Sequence, residues 1–427
     1  TRYKLVTGVQ TCALPISDEW INRIYWSELK FNNEPLDSWA VYLTDTFYDV
    51  EGNYGGINAL ISLKENMYYL QDRGVGMLLI NPVSMINDSA GTPIKLGNGT
   101  NAQVIQKHYY KAIDTGTVHQ WSVYRSQSAI TFVDARHKKI YLFNGESVTP
   151  ISDVKGQRNF VIKRLHNELL KNDNPIINKG IITTYDYYHN EFLYTFNNVL
   201  TEDTTNNENL TLAYSEILDA FTGMYSFTPN LYINSNKYLI STNSSNKLWF
   251  HNYGNYGLFY NTQYPSTLKL IVNDNPLHTK IFDNSTWNSE SIKDNIEWND
   301  DLNIYPGSST NPSYPDDVNH QSDTFTKIRC YNDWQNTDWL TLSTISPNNT
   351  LTRKERNFNV QIPRNKFDYD STAPSLVSLF NPANLTKTMF GERIRDKYMI
   401  VDLYYPNTLN NRFIVNNFKT NYRISDR

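Results

Sequence analysis

Cysteine is scarce: two occur in 427 residues, Cys12 and Cys330. Two thiols supply neither a disulfide framework nor a cysteine-based metal site. Charge is also sparse. Charged residues make up 19% of the chain, and 39 basic against 43 acidic side chains leave a net charge of −4. That balance excludes a strongly basic nucleic-acid coat and a charge-driven disordered tail. Long apolar runs are missing too. None approaches the roughly 18 residues of a membrane span, and Gly74–Ile80 is among the longest.

Motifs that carry chemistry are equally thin. The histidines (His108, His119, His137, His166, His189, His251, His278 and His320) form neither His-x-His nor His-Glu-x-x-His. Gly74-Val75-Gly76 lacks the third spaced glycine of a phosphate loop. Ser-x-x-Lys recurs at Ser27/Lys30, Ser152/Lys155, Ser244/Lys247 and Ser266/Lys269 without any Gly-x-Ser-x-Gly, so it is background. No catalytic, cofactor-binding or metal residue is assigned, and no cofactor is expected.

The first residues stand apart. Val6-Thr7-Gly8-Val9-Gln10-Thr11-Cys12-Ala13-Leu14-Pro15-Ile16 looks like a translated sequencing adapter. Residues 1–17 are therefore expected to be an artefactual leader on a C-terminal fragment of a longer protein, assembled from metagenomic DNA. Cys12 goes with that leader, and Cys330 reads as a buried small apolar residue.

What the chain has is aromatic and turn-forming residues. Tyrosine occurs 31 times, aromatics reach 14%, and asparagine is abundant. With 39% hydrophobic residues, this composition fits strands joined by turns around a packed core. Four hairpin-like segments recur, with inward anchors expected at Met67, Ile140, Phe192 and Leu248. A period of about 50 residues is the size of one four-stranded propeller blade, and blades must stack to bury their faces. Asn22–Ser27, Trp121–Tyr124, Leu210–Tyr214, Lys237–Ser241 and Leu268–Val272 read as further strands. Phe160, Val161, Arg164, Leu165, Glu168 and Leu169 follow a helical period, predicting one short helix over 159–171.

Residues 305–323 read as an exposed polar loop. Beyond them, Thr326–Tyr331, Trp339–Leu342, Asn357–Ile362, Tyr398–Tyr404 and Phe413–Phe418 alternate as strands, predicting a β-sandwich or jelly-roll-like module. The expected fold class is therefore all-β: a partial β-propeller over 18–275 with a helical insertion, then a sandwich over 276–427.

Carboxylates are the residual catalytic candidates. Asp72, Asp134, Asp186 and Asp219 could supply an acid/base pair of the glycosidase type. Asp134 and Asp186, however, open hairpin turns, where an aspartate commonly accepts a backbone N–H two residues on. Tyr253, Tyr256, Phe259 and Tyr260 could form a sugar platform or, more simply, pack between sheets.

Several stretches point to a family. Gly116-Thr117-Val118-His119-Gln120-Trp121-Ser122-Val123, then Phe132-Val133-Asp134 and Lys139-Ile140-Tyr141, resemble phage tail-nozzle propellers. So does Asp219-Ala220-Phe221-Thr222-Gly223-Met224-Tyr225-Ser226-Phe227-Thr228-Pro229. Phe282–Glu290 and Arg393–Leu403 fit the same picture. The chain resembles the muzzle-type nozzle proteins of crAss-like gut bacteriophages over most of residues 18–427. More distantly, it is similar to the tail tubular protein B group. The resemblance implies a structural virion protein made in the bacterial host cytoplasm. It also implies a homo-oligomeric ring, contacts with other tail and portal-complex proteins, passage of double-stranded DNA without specific binding, and no enzymatic chemistry. Two alternatives stay open on the residues: a carbohydrate- or receptor-binding propeller, and a glycoside hydrolase.

Overall fold

The protein is described from a computed structural model. The structure describes residues 20–27, 40–80, 84–87, 93–96, 104–165, 179–197, 209–233, 238–243, 247–292, 321–345, 349–366, 391–408 and 411–425. The adapter-like stretch, Cys12, residues 166–171 of the expected helix and residues 305–320 lie outside them. The chain divides into two compact units, residues 1–252 and 253–427.

The first unit opens with a ribbon, β1 (Arg23–Tyr25) paired with β2 (Phe47–Asp49). Sheet I contains β3 (Ile57–Leu63), β4 (Asn66–Gln71), β5 (Gly74–Ile80) and, after a hairpin of β6 (Ser84–Asn87) and β7 (Pro93–Leu96), β8 (Ile105–Ile113). Sheet II contains β9 (Tyr124–Arg125), β10 (Ile130–Asp134), β11 (Lys139–Phe143) and β12 (Val148–Pro150). Two helices follow, α1 (Ile151–Val154) and α2 (Arg158–Arg164). Sheet III contains β13 (Gly180–Asp186), β14 (Glu191–Asn197), β15 (Leu210–Ser215) and β16 (Ala220–Tyr225). Sheet IV has three strands, β17 (Leu231–Ile233), β18 (Ile240–Thr242) and β19 (Leu248–Phe250). In sheets I to IV each strand hydrogen-bonds antiparallel to the next described strand of its own sheet, a simple meander.

Apolar faces explain how these sheets pack. Leu63, Tyr68, Leu70 and Val75 of sheet I share a core with Ile130, Phe132, Tyr141 and Phe143 of sheet II. Val133 and Ile140 of sheet II share a second core with Ile181, Phe192, Tyr194 and Tyr214 of sheet III, closed by Val161 and Leu165 around α2. β13, β14 and β15 are buried along their whole length, so these three strands of sheet III are covered on both faces, while the edge strand β16 is partly exposed. Each such aromatic or branched side chain contributes about 1.5–3 kcal/mol when removed from water.

Some expectations are corrected. Trp121 sits in a 3₁₀ turn (Gln120–Ser122), and only Tyr124–Arg125 is strand, because Ser122 turns inward to bond Thr117 and His119. Leu248 is 62% exposed, not inward, since it lies on β19 at the edge of its sheet. The expected single helix is present as α2, preceded by the unanticipated α1.

The second unit starts with a ribbon, β20 (Leu258–Phe259) with β21 (Thr262–Gln263). Then come β22 (Ser266–Val272), β23 (Lys280–Ile292), β24 (Lys327–Tyr331), β25 (Leu340–Thr341), β26 (Thr352–Lys354), β27 (Asn357–Gln361), β28 (Arg395–Asp396), β29 (Met399–Tyr405) and β30 (Arg412–Ile424). β22, β29, β24 and β25 form sheet V; β26, β27, β23 and β28 form sheet VI, with β30 along the other edge of β23. β22, expected before the boundary near residue 275, is therefore part of the second unit. Both sheets feed one core: Trp287 and Phe358 from sheet VI meet Ile328, Cys330, Val401 and Leu403 from sheet V. Cys330 is fully buried there, and burial pushes its thiol up in pKa.

The structure is thus all-β, built of antiparallel sheets with two short helices among the described residues. No helix among them is long and apolar enough to cross a membrane.

Candidate functional site

Three hairpins of the first unit share one turn geometry. Asp134 pairs with Lys139, Asp186 with Glu191, and Ser215 with Ala220, each leaving four residues in the loop. The last loop residue is left-handed every time: Lys138 (φ 55°), Asn190 (φ 55°) and Asp219 (φ 50°). Asparagine and aspartate tolerate this region because a short polar side chain bonds locally.

The two buried aspartates hold their turns in the same way. Asp134 Oδ1 accepts the N–H of Arg136 at 2.9 Å, and its Oδ2 lies 2.7 Å from His137 Nδ1. Asp186 Oδ1 accepts the N–H of Tyr188 at 2.9 Å, and its Oδ2 lies 2.7 Å from His189 Nδ1. Asn252 adds a third bond, donating Nδ2–H to Asp186 Oδ2 at 2.8 Å. Burial alone would raise the Asp186 pKa, but the bonds from His189, Asn252 and the Tyr188 N–H outweigh it and hold the carboxyl below its usual range. Asp186 in turn raises His189.

Glu191 crosses the turn from Asp186, and atoms of Asp186, His189 and Glu191 lie within 4.8 Å of one another. That spacing would suit a cation, but the acceptors are already engaged. Tyr225 donates its hydroxyl to Glu191 Oε1 at 2.5 Å, and Thr222 donates to Oε2 at 3.2 Å. The equivalent turn at Asp134 has the same aspartate–histidine pair with Lys139 in the place of Glu191. A geometry that persists without the second carboxylate is one that fixes turns.

The four candidate carboxylates lie in four separate turns. Asp72 follows β4 and accepts Asn58 Nδ2–H at 2.6 Å. Asp134 and Asp186 occupy the β10–β11 and β13–β14 turns. Asp219 ends the β15–β16 turn, where Lys155 Nζ (2.5 Å) and the Tyr214 hydroxyl (2.6 Å) donate to it. Asp134 and Asp186 accept the backbone N–H two residues on, as expected of them, while Asp72 and Asp219 accept from side chains farther along the chain. The aromatic candidates are equally dispersed in role. Tyr253 is 86% exposed and Tyr256 41% exposed, and Phe259 packs near Tyr264 at 6.1 Å.

What the sequence did not announce is a set of hydroxyl contacts between sheets. Tyr194 of sheet III lies 2.6 Å from Thr131 Oγ1 of sheet II. Tyr232 of sheet IV lies 2.8 Å from Thr195 Oγ1 of sheet III. In both, a tyrosine reaches back to a threonine on the second strand of the preceding sheet. Glu216 adds a third contact, accepting from Ser126 (2.8 Å) and Ser128 (2.7 Å) in the β9–β10 turn. No signal short of tertiary structure pairs these residues, since 31 tyrosines offer too many choices.

The family model described as Crassvirus muzzle protein matches residues 11–245. The chain belongs to that family. The model of the Crassvirus muzzle protein C-terminal domain matches residues 254–365. The change from one match to the other falls where the two compact units divide. The muzzle protein of Bacteroides phage crAss001 is 26% identical over 281 residues, covering 64% of this chain. The matched region spans 19% of that relative's length.

Proposed function

We propose that the chain is a structural part of a phage tail, forming part of the wall of a ring-shaped conduit for genome ejection. The observation that carries this reading is the run of sheets I to IV, joined by apolar cores between I and II and between II and III, and by buried hydroxyl bonds between II and III and between III and IV. Such serial packing favours stiffness, because each sheet buries a face that it could not bury alone. We read sheets I to IV as propeller blades and the second unit as a sandwich module that extends the wall. Membership in the muzzle family supports a virion location. The partners in this reading are further copies of the chain and other tail proteins.

The charge balance fits a conduit. Each phosphate-neutralising cation would add a salt-dependent hold on DNA, and the chain carries a net −4. Electron microscopy of the complete gene product tests the proposal. Rings are expected, and antibodies to this chain should label one end of the tail in intact particles. A complete product that stays monomeric, or particles that carry no label, would reject it.

A further inference from the structure

At the start of β23 the second unit carries an open polar cleft of about 310 Å³, lined among others by Asp283, Asn284, Asn359, Gln361, Arg364 and Arg393. We propose that this cleft binds an acidic oligosaccharide, one with carboxylates on its sugar rings.

The backbone creates the cleft. The pairing of β23 with β30 slips between Phe282 and Asn284, leaving Asp283 as a bulge residue. Bulges re-aim side chains, and here Asp283 meets two guanidinium groups. Arg423 donates from Nε (2.8 Å) and Nη2 (2.9 Å), and Arg393 donates from Nη1. Arg364 stands exposed on the same wall, with Nη1 3.4 Å from the Gly391 carbonyl. Two guanidinium groups thus share the Asp283 carboxylate, and Arg364 lines the same cleft, so these four side chains carry a surplus of two positive charges. A planar guanidinium fork matches a carboxylate through two parallel hydrogen bonds.

The floor is suited to sugar hydroxyls. Asn421 donates to Asn284 Oδ1 at 3.0 Å, and Asn284 donates to Asn359 Oδ1 at 2.7 Å. This amide ladder crosses β30, β23 and β27, and Gln361 lies beside it. Amides both donate and accept, which is what a ring of hydroxyl groups requires. The exposed Arg364 guanidinium beside these amides favours a ligand that is both anionic and polyhydroxylated.

Calorimetric titration of the intact chain tests this, with trigalacturonate and a hyaluronan tetrasaccharide as acidic probes. Galactotriose serves as the neutral control, and acetate, at matched carboxylate concentration, as the simple anion. At least one acidic probe should bind, and both controls should bind at least about 10-fold more weakly, the scale of one charge-assisted contact. Arg364→Ala should weaken binding by about 10-fold with an unchanged melting temperature, and Arg364→Lys should recover part of the loss. Failure of both acidic probes, equal binding of acetate or galactotriose, or undiminished binding by Arg364→Ala would each overturn the proposal. None of these readouts depends on ring assembly.

Discussion

The hydroxyl of Tyr194 and Oγ1 of Thr131 lie 2.6 Å apart and fully buried, although they belong to different four-stranded sheets. Thr131 also donates to the Tyr141 carbonyl at 2.8 Å, so the threonine is fixed within sheet II while it receives sheet III. Tyr194→Phe keeps the ring packing and removes the clasp. It should cost about 1 kcal/mol, read as a lower midpoint in chemical denaturation. In a double-mutant cycle with Thr131→Val the two losses should be less than additive. Strict additivity would show that the contact carries no energy.

The turn around Asp186 makes stability depend on pH in opposite senses. His189 is raised by its bond to Asp186, so its contribution is complete below about pH 6.5 and is lost as pH rises through the folded value. His251, 2.6 Å from Ser241 Oγ, is pushed down by burial to about 4. The unfolded chain takes up that proton first, so stability falls as pH drops from about 6.5 toward 4, by at most about 3 kcal/mol. Asp186 adds a further loss below about pH 4, as its depressed carboxyl protonates. Melting temperature should therefore peak near pH 6.5 from these groups. His189→Gln should flatten the alkaline limb, and His251→Gln should flatten the acid limb.

Gly116 has no room for a side chain. A Cβ there would lie 2.1 Å from the Gln71 carbonyl oxygen and 2.8 Å from the Arg73 nitrogen. Both are backbone atoms, so relief means moving the end of β4. Gly116→Ala should lower the melting temperature by several degrees, corresponding to about 1–3 kcal/mol. Gly223→Ala, where nothing lies within 4 Å, should stay within about 0.5 kcal/mol of the parent.

Trp287 anchors the second unit. It is fully buried, donates Nε1–H to Thr324 Oγ1 at 3.0 Å, and stacks on Phe358 and Phe418 at 6.4 and 6.2 Å. Trp287→Ala should cost about 3–5 kcal/mol and abolish the near-ultraviolet circular dichroism of the cluster. Trp287→Phe should cost less, because it keeps a ring in the stack.

The strands were legible because alternation and aromatic content are local. Asn357–Gln361 and Met399–Tyr405 are strands as their patterns predict. The turns were legible because Asp134 and Asp186 bond their own backbone within two residues. Legibility failed where one particular side-chain bond, or a strand's place in its sheet, decides. Trp121 reads as strand, yet Ser122 bonding to Thr117 and His119 winds that stretch into a turn. Leu248 reads as an anchor, yet its strand lies at an edge.

Composition and periodicity by themselves settled the class. A charge-poor, tyrosine-rich chain with short alternating runs makes antiparallel sheets, because that information is carried by neighbouring residues. Tertiary structure alone decided which tyrosine clasps which threonine, that four aspartates serve separate turns, and that Asp283, Asn359 and Arg393 share a cleft. Those outcomes depend on strand order and, for the cleft, on the register slip at Asp283, one of two in the β23–β30 pairing. Both are set by packing between residues tens of positions apart.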